Sequence, residues 1–291
     1  MRNALSWKRE IAGVFFIGCG IALLPAMPAA AQATQTQTQP KPPATAGQQG
    51  QPAAQTPAPE PPVNKEEEDA YKAFYALTAA QGSQIISQGE DFLAKYPASR
   101  YRSAVYSRLV NMYLNTHQLD KMVSTGQKAI AENPDNVDVL ALLSTIIPRT
   151  VTDPRALDAD QKLTEAERYA KRAIDLVSSM PKPEALTDEQ FTSAKNEKLG
   201  LAHFGLGLVY YMRGNATVYV PELEQASKLD PQSEPLLYYL LGRGDLKLKN
   251  YPDATAAFDR CAKAQWDPQW QARCKSGEEE AKQAAAAPAK P

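Results

Sequence analysis

The chain has 291 residues, of which 43% are hydrophobic, and this is enough apolar material for one substantial folded region. Lys and Arg together number 32, whereas Asp and Glu number 33, so the chain has no basic field that would attract a phosphate backbone or an anionic lipid surface. The charge balance therefore argues against nucleic-acid binding.

Residues 1–33 have the organisation of a secretory signal peptide. Arg2, Lys8 and Arg9 precede an uncharged apolar stretch of 14 residues, and small-x-small cleavage sites follow at 29–31 and 31–33. The mature chain would then begin at Gln32 or Thr34. A membrane-spanning helix needs about 20 apolar residues, so an uncleaved anchor is the weaker alternative.

Export predicts a location in the periplasm or cell envelope of a bacterium. Association with the membrane is then expected only through a partner or an uncleaved N-terminus. Cys19 follows a sequence that loosely resembles a lipoprotein processing box, but the apolar run continues after it instead of becoming polar. The simpler interpretation is that Cys19 is removed with the signal peptide.

Residues 34–64 form a linker rich in Pro, Gln, Ala and Thr, with almost no large apolar side chain. Such a composition predicts disorder, and both a functional spacer and an unselected tail agree with it. Residues 65–282 change to helical periodicity without alternating strand-like runs, which predicts an all-α fold. Residues 283–291 return to Ala, Lys and Pro and predict a disordered tail.

A repeat with a period of 34 or 35 residues is the main feature of the helical region. One copy begins at Gly200 and the next at Pro235. The first copy is marked by His203, Leu206, Gly207, Tyr210, Tyr219, Leu223, Ala226 and Pro231. The second is marked by Tyr238, Leu241, Gly242, Ala254, Phe258 and Cys261, with Asp245 where a tyrosine is usual.

This spacing resembles the tetratricopeptide repeat (TPR), which implies a right-handed α-solenoid of antiparallel helix pairs. The resemblance covers about residues 66–268 in about five units, and the helix 269–282 is expected to cap the end. The copy from Ser103 fits fairly, the copy from Val137 is interrupted by about ten residues, and the first, 66–101, fits loosely. Thr164 with Glu167 and Thr187 with Gln190 are predicted capping boxes that restart helices.

A protein-binding groove is the sharpest functional prediction. In the family, one stripe of each first helix faces the concave surface, and here that stripe is unusually apolar over two units. It comprises Leu201, Phe204, Leu208, Tyr211, Leu236, Tyr239, Arg243 and Leu246. A partner helix or extended peptide would bind there. The alternative is burial within the chain, beneath the segment 188–212 or the residues before Lys65. Earlier units carry Ser107, Asn111 and Thr145 at these positions, so the stripe becomes polar toward the N-terminus.

Catalytic and cofactor signatures are weak in this sequence. The two histidines, His117 and His203, lack a nearby nucleophile or metal-ligand spacing, and both are interpreted as structural. The short glycine motifs at 205–207 and 242–244 follow no strand and so do not predict a nucleotide site. We therefore expect no metal, no small-molecule cofactor and no enzymatic activity. An enzyme would need a catalytic group in the segments 148–161 or 178–187.

Cys261 and Cys274 are the only cysteines after signal cleavage. An even pair in an oxidising compartment predicts a disulfide, and two buried free thiols are the alternative. Together these features predict a non-enzymatic protein-binding scaffold or adaptor of the cell envelope. The alternative is a structural subunit or spacer of a multiprotein envelope machine, for outer-membrane assembly, secretion or export. The segment 96–101 resembles repeat lipoproteins and accessory proteins of outer-membrane assembly.

Overall fold

The computed structural model describes residues 64–231, 233–264 and 267–286. These residues form eleven α-helices and no strand, which confirms the all-α prediction for the described part of the chain. The helices are α1 Lys65–Ala76, α2 Gly82–Lys95, α3 Arg102–Asn115, α4 Leu119–Glu132, α5 Val137–Thr150, α6 Ala159–Ser178, α7 Asp188–Met212, α8 Ala216–Leu229, α9 Pro235–Leu248, α10 Tyr251–Lys263 and α11 Pro268–Ala286. The predicted signal peptide, the linker up to Val63 and the tail from 287 lie outside the described residues.

The helices form five consecutive pairs, here called units 1 to 5, and α11 follows the last pair. Every helix packs against the next one along the chain, and α5 also packs on α7 and α9 on α11. This serial packing confirms the predicted solenoid of about five helix pairs with a final helix. Unit 3 is the interrupted one, because residues 151–158 separate α5 from α6.

Of the two predicted capping boxes, the one at Thr187 forms and the one at Thr164 does not. The Thr187 side chain accepts from the Gln190 amide at 3.2 Å, and the Gln190 side chain accepts from the Thr187 amide at 3.0 Å, as predicted. The predicted box at Thr164 is wrong, because α6 begins at Ala159 and Thr164 lies inside the helix. The Thr164 hydroxyl instead accepts from the Arg213 guanidinium at 3.0 Å.

Buried side chains form two apolar clusters that meet at α7. Ala202, Val209 and Met212 belong to the cluster of α1 to α7, whereas Phe204 and Leu208 belong to the cluster of α7 to α11. Because α7 contributes to both, the two halves of the array share one helix as a packing partner. The position of α7 therefore fixes unit 3 against units 4 and 5.

Glycines allow two helix contacts of α7 to be very close. A Cβ atom added at Gly207 would come within 3.0 Å of the Leu223 side chain in α8, and one added at Gly205 would do the same with Ser144 in α5. The first contact is the small-residue crossing expected within a repeat. The second joins the first helices of units 3 and 4.

The last helix differs from the predicted boundary. The helical region was expected to end at 282, but α11 continues to Ala286. Residues 284–286 are alanines, which have the highest helix propensity, so the helix extends beyond its last buried residue, Ala281.

Candidate protein-binding surface

Four of the eight predicted groove residues are buried. Phe204, Leu208 and Leu236 are 2 to 3% exposed, and Tyr239 is 8% exposed. The other four, which are Leu201, Tyr211, Arg243 and Leu246, are partly exposed. The buried half of the stripe lies at contacts between helices, which agrees with the alternative of burial within the chain for these four residues. Its role in binding a partner stays a prediction.

Arg149, at the end of α5, covers the part of the stripe around Phe204. Its guanidinium carbon lies 5.3 Å from the centre of the Phe204 ring. The same guanidinium forms a two-point ion pair with Glu234, the residue before α9, with one N–O distance of 3.2 Å. The two charged side chains are only 4% and 17% exposed. This pair, here called the Arg149–Glu234 latch, joins unit 3 directly to unit 5.

Helix α11 covers the part of the stripe on α9. The Trp270 ring meets the Tyr239 ring edge-on at 5.4 Å, and Arg243 forms an ion pair with Glu280 at 2.6 Å. Burial within the chain was the alternative considered from the sequence, but the covering residues come from α5 and α11. Of the residues before Lys65, the other cover considered, all except Asn64 lie outside the described residues.

The first helices are more open toward the N-terminus of the array. Ser107 and Asn111 on α3 are partly exposed, whereas Thr145 on α5 is only 2% exposed. The Asn111 amide donates to the Ser107 carbonyl at 2.9 Å, and the Asn136 amide donates to the Ser107 hydroxyl at 2.7 Å. The polar character predicted for this part of the stripe is thus present on α3, and its side chains are held in place by hydrogen bonds.

Arg108 fixes α1 against the same region of α3. Its guanidinium donates to the carbonyl oxygens of Phe74 and Tyr75, both at 2.9 Å, and to that of Leu77. These carbonyls lie at the end of α1, where helical partners are missing and the negative end of the helix dipole lies. Arg108 therefore caps α1. The exposed Tyr75, at 42%, lies beside this cap.

The charged face of α6 is tied to α7. Burial raises the pKa of Glu167, but hydrogen bonds from Lys171, Arg213 and Tyr210 outweigh that effect and lower the pKa to about 2. Lys171 is a neighbour on the same helix, whereas Tyr210 and Arg213 belong to or follow α7. Glu167 therefore ties α6 to unit 4.

Both histidines occupy structural positions. His203 Nδ1 lies 2.7 Å from a carboxylate oxygen of Glu222 and so links α7 to α8. His117 has a φ of 58° in the turn after α3. No group of three His, Cys, Asp or Glu side chains that could hold a metal ion occurs within the described ranges. None of the helices in those ranges has both the length and the apolar character needed to cross a membrane.

Cys261 on α10 and Cys274 on α11 lie side by side. Their sulfur atoms are at bonding distance and their Cα atoms are 5.7 Å apart, which is within the range that a disulfide spans. Both side chains are at most 1% exposed. The arrangement places the predicted disulfide between the last unit and the final helix.

Comparisons with known proteins give similarities of fold only. No protein-family model matches the chain, and no curated protein matches it. Similar solved structures include a thermophilic TPR protein from Thermus thermophilus, with 17% identity, coverage of 72% of this chain and 98% of that chain, and a TM-score of 0.48. Another is the TPR domain of P58(IPK), with 15% identity, coverage of 75% of this chain and 65% of that chain, and a TM-score of 0.31.

Proposed function

We propose that the chain is a non-enzymatic protein-binding scaffold of the bacterial cell envelope. The observation that carries this proposal is the array of five helix pairs packed in series. Arrays of this kind have extended surfaces, because each unit contacts mainly its neighbours instead of closing around one centre. A second chain can lie along such a surface.

The partner that fits the open part of the array is an extended peptide. On α3, Ser107 and Asn111 are partly exposed and are held by hydrogen bonds, so their remaining polar groups can meet a peptide backbone with little loss of side-chain entropy. An apolar helix, in contrast, would need the stripe on α7 and α9. The buried residues of that stripe, such as Phe204 and Tyr239, become accessible only if the Arg149–Glu234 latch and α11 move away.

The envelope location rests on residues 1–33. Their basic start, 14-residue apolar stretch and small-residue cleavage sites have the order of a secretory signal. The proline-rich residues after it would then act as a spacer between the mature N-terminus and the helix pairs. Mass spectrometry of the protein isolated from cells would test this step, since an N-terminus at Gln32 or Thr34 is expected.

Affinity capture from bacterial envelope extract tests the binding function. The mature chain would be compared with a Ser107→Ala, Asn111→Ala variant and with Lys128→Ala, a control on an exposed position of α4. We expect a partner that the wild type and the control retain and that the double variant loses, with equal helicity in all three. Identical partners in all three samples would refute binding on α3.

A spacer in a larger envelope assembly is the second candidate function. The observation that favours it is the buried Arg149–Glu234 latch, which links unit 3 to unit 5 and so restricts bending of the array. The two functions differ in stoichiometry. A structural subunit is isolated in a fixed ratio with its neighbours, whereas an adaptor is isolated with a variable amount of partner.

A further inference from the structure

A surface pocket of about 240 Å³ lies between α8, α9 and α10. Its inner part includes Tyr238, Leu241 and Asp245, and its rim includes Glu224, Asp253 and Arg260. Asp245 is only 2% exposed. Within the described residues, its carboxylate accepts one hydrogen bond, a long one of 3.5 Å from the Asn250 amide. The pocket thus contains a buried carboxylate that has no close partner among the described residues.

Corresponding positions in other units have a different set of side chains. Tyr113, Tyr210 and Asp245 each lie six residues before the second helix of their unit begins. The Tyr113 hydroxyl donates to Glu90 at 2.5 Å, and the Tyr210 hydroxyl donates to Glu167 at 2.8 Å. In units 2 and 4, a tyrosine therefore occupies the position that Asp245 has in unit 5, and its hydroxyl binds a glutamate of the preceding unit.

A cation accompanies the glutamate that binds each of these two tyrosines. Lys121, the third residue of α4, lies 3.2 Å from Glu90 and 5.4 Å from the Tyr113 ring centre. Beside Tyr210, Lys171 of α6 and Arg213 after α7 pair with Glu167.

The pocket beside Asp245 has the equivalent glutamate, Glu224 of unit 4, but not these companions. Glu224 lies six residues before the C-cap of α8, as Glu90 does before that of α2. The third residue of α10, however, is Asp253, where α4 has Lys121. Asp245 and Asp253 thus stand where unit 2 has a tyrosine and a lysine, whereas the glutamate is retained as Glu224.

The cations already near the pocket leave its acidic character in place. Arg260 donates to the Pro231 carbonyl at 2.9 Å and lies 4.4 Å from the Tyr238 ring centre, so its guanidinium is engaged at the rim. Lys228 approaches Glu224 only to 3.9 Å, and it is 70% exposed. Neither forms a hydrogen bond or an ion pair with Asp245 among the described residues.

We propose that this pocket binds a lysine or arginine side chain of a partner protein, with Asp245 as the counter-ion. The aliphatic stem would take the space of the missing tyrosine ring, and the ammonium or guanidinium group would replace the missing Lys121 equivalent. Burial of a charged carboxylate away from water is unfavourable unless a cation compensates for its charge, so the site should prefer a cationic side chain. This site is separate from the α3 surface, so either can be present without the other.

The first test is an NMR titration of the mature chain with Nα-acetyl-lysine methylamide as the probe. An isolated side chain makes few contacts, so we expect a Kd of about 1 mM, with shifts confined to α8, α9 and α10. The norleucine analogue, which lacks the charge, should produce no saturable shifts. Binding should strengthen by about tenfold from pH 5 to pH 7.5, because burial and the nearby Asp253 and Glu224 carboxylates raise the pKa of Asp245 to about 6.

Two variants separate a counter-ion from a passive pocket. Asp245→Asn keeps the shape, and it should weaken probe binding and abolish its pH dependence. Asp253→Lys restores the lysine found in unit 2, and it should prevent probe binding by filling the site from within. Equal affinity in the wild type and Asp245→Asn, or equal shifts with the norleucine analogue, would overturn the proposal. If putrescine bound more than about tenfold tighter than the lysine probe, the ligand would be a free amine and not a side chain of a partner protein, and the proposal would be overturned.

Discussion

The stability of the array is expected to fall as pH rises through the titration of Asp245. The ordinary pKa of an aspartate is 3.8, whereas burial of Asp245, with Asp253 and Glu224 nearby, raises its pKa in the folded chain to about 6. The folded state therefore binds a proton more tightly than the unfolded state does. Between these two values, each unit of pH removes stability, and above the folded pKa the loss is complete.

The magnitude follows from the distance between the two pKa values. One pKa unit corresponds to about 1.4 kcal/mol, so a rise from 3.8 to about 6 corresponds to a loss of about 3 kcal/mol at neutral pH. Asp245→Asn cannot ionise and keeps a similar size. We expect the free energy of unfolding of this variant, relative to wild type, to be about 3 kcal/mol higher at pH 7.5 than at pH 3.5, so that the variant gains relative stability as pH rises.

Urea unfolding followed by far-UV circular dichroism would measure this difference. Other carboxylates titrate in the same range, but they are shared by both proteins and cancel in the comparison. Asp253→Asn serves as a control, because Asp253 is exposed and its removal should change the pH dependence less. A difference between wild type and Asp245→Asn that is constant with pH, or that falls with pH, would refute the assignment of a raised pKa.

Three further predictions concern packing, charge and covalent structure. Gly205→Ala should destabilise the chain by about 1–3 kcal/mol, because the added Cβ would overlap Ser144. Gly214 has a φ of 74° but open space around it, so Gly214→Ala should cost about 1 kcal/mol. Thermal unfolding of both variants checks this order. Glu234→Gln should cost about 3 kcal/mol because it leaves the buried Arg149 cation without its partner, and Arg149→Met added to it should recover most of that loss in urea unfolding. A comparison of non-reducing and reducing peptide maps should show that Cys261 and Cys274 are linked. Reduction should then lower the free energy of unfolding by about 3 kcal/mol, because the bond closes a loop of 13 residues. Free thiols under both conditions would contradict the disulfide.

Repeat spacing predicted the fold because local periodicity determines which side chains face the core. Leu206, Leu223 and Phe258 were identified as repeat positions, and all are at most 4% exposed. The long helix α7, from Asp188 to Met212, also has the limits expected from the capping sequence and the turn that bound it. Each of these features depends on residues that are close in sequence.

Exposure of the groove stripe could not be predicted in the same way. A helical stripe identifies the face on which Phe204 and Tyr239 lie, but it does not identify what covers that face. The covering residues Arg149 and Trp270 lie on other helices, and the contacts depend on how the units stack. Thr164 illustrates the same limit, since its capping pattern was present but α6 begins earlier, at Ala159, and the Thr164 hydroxyl contacts Arg213 instead.

The pocket of unit 5 left a partial signal in the sequence. Asp245 was recognised as a departure from the tyrosine of the repeat, and a smaller side chain at that position implies unfilled space. The charge of the pocket also depends on Asp253, which lies opposite Glu224 only after the three helices have packed. A comparison of Asp253 with Lys121 therefore required the register of the two helices.

The Arg149–Glu234 latch limits how this protein can change in length during evolution. Repeat proteins commonly gain or lose whole units, because each unit contacts only its neighbours and a deletion leaves equivalent contacts on both sides. Here an arginine of unit 3 pairs with a glutamate 85 residues later, at the start of unit 5. Loss of unit 4 would change the geometry in which these two residues meet, and the buried cation of Arg149 would then need another partner. Units 3, 4 and 5 are therefore expected to be inherited as one block, whereas units 1 and 2 are free to vary in number.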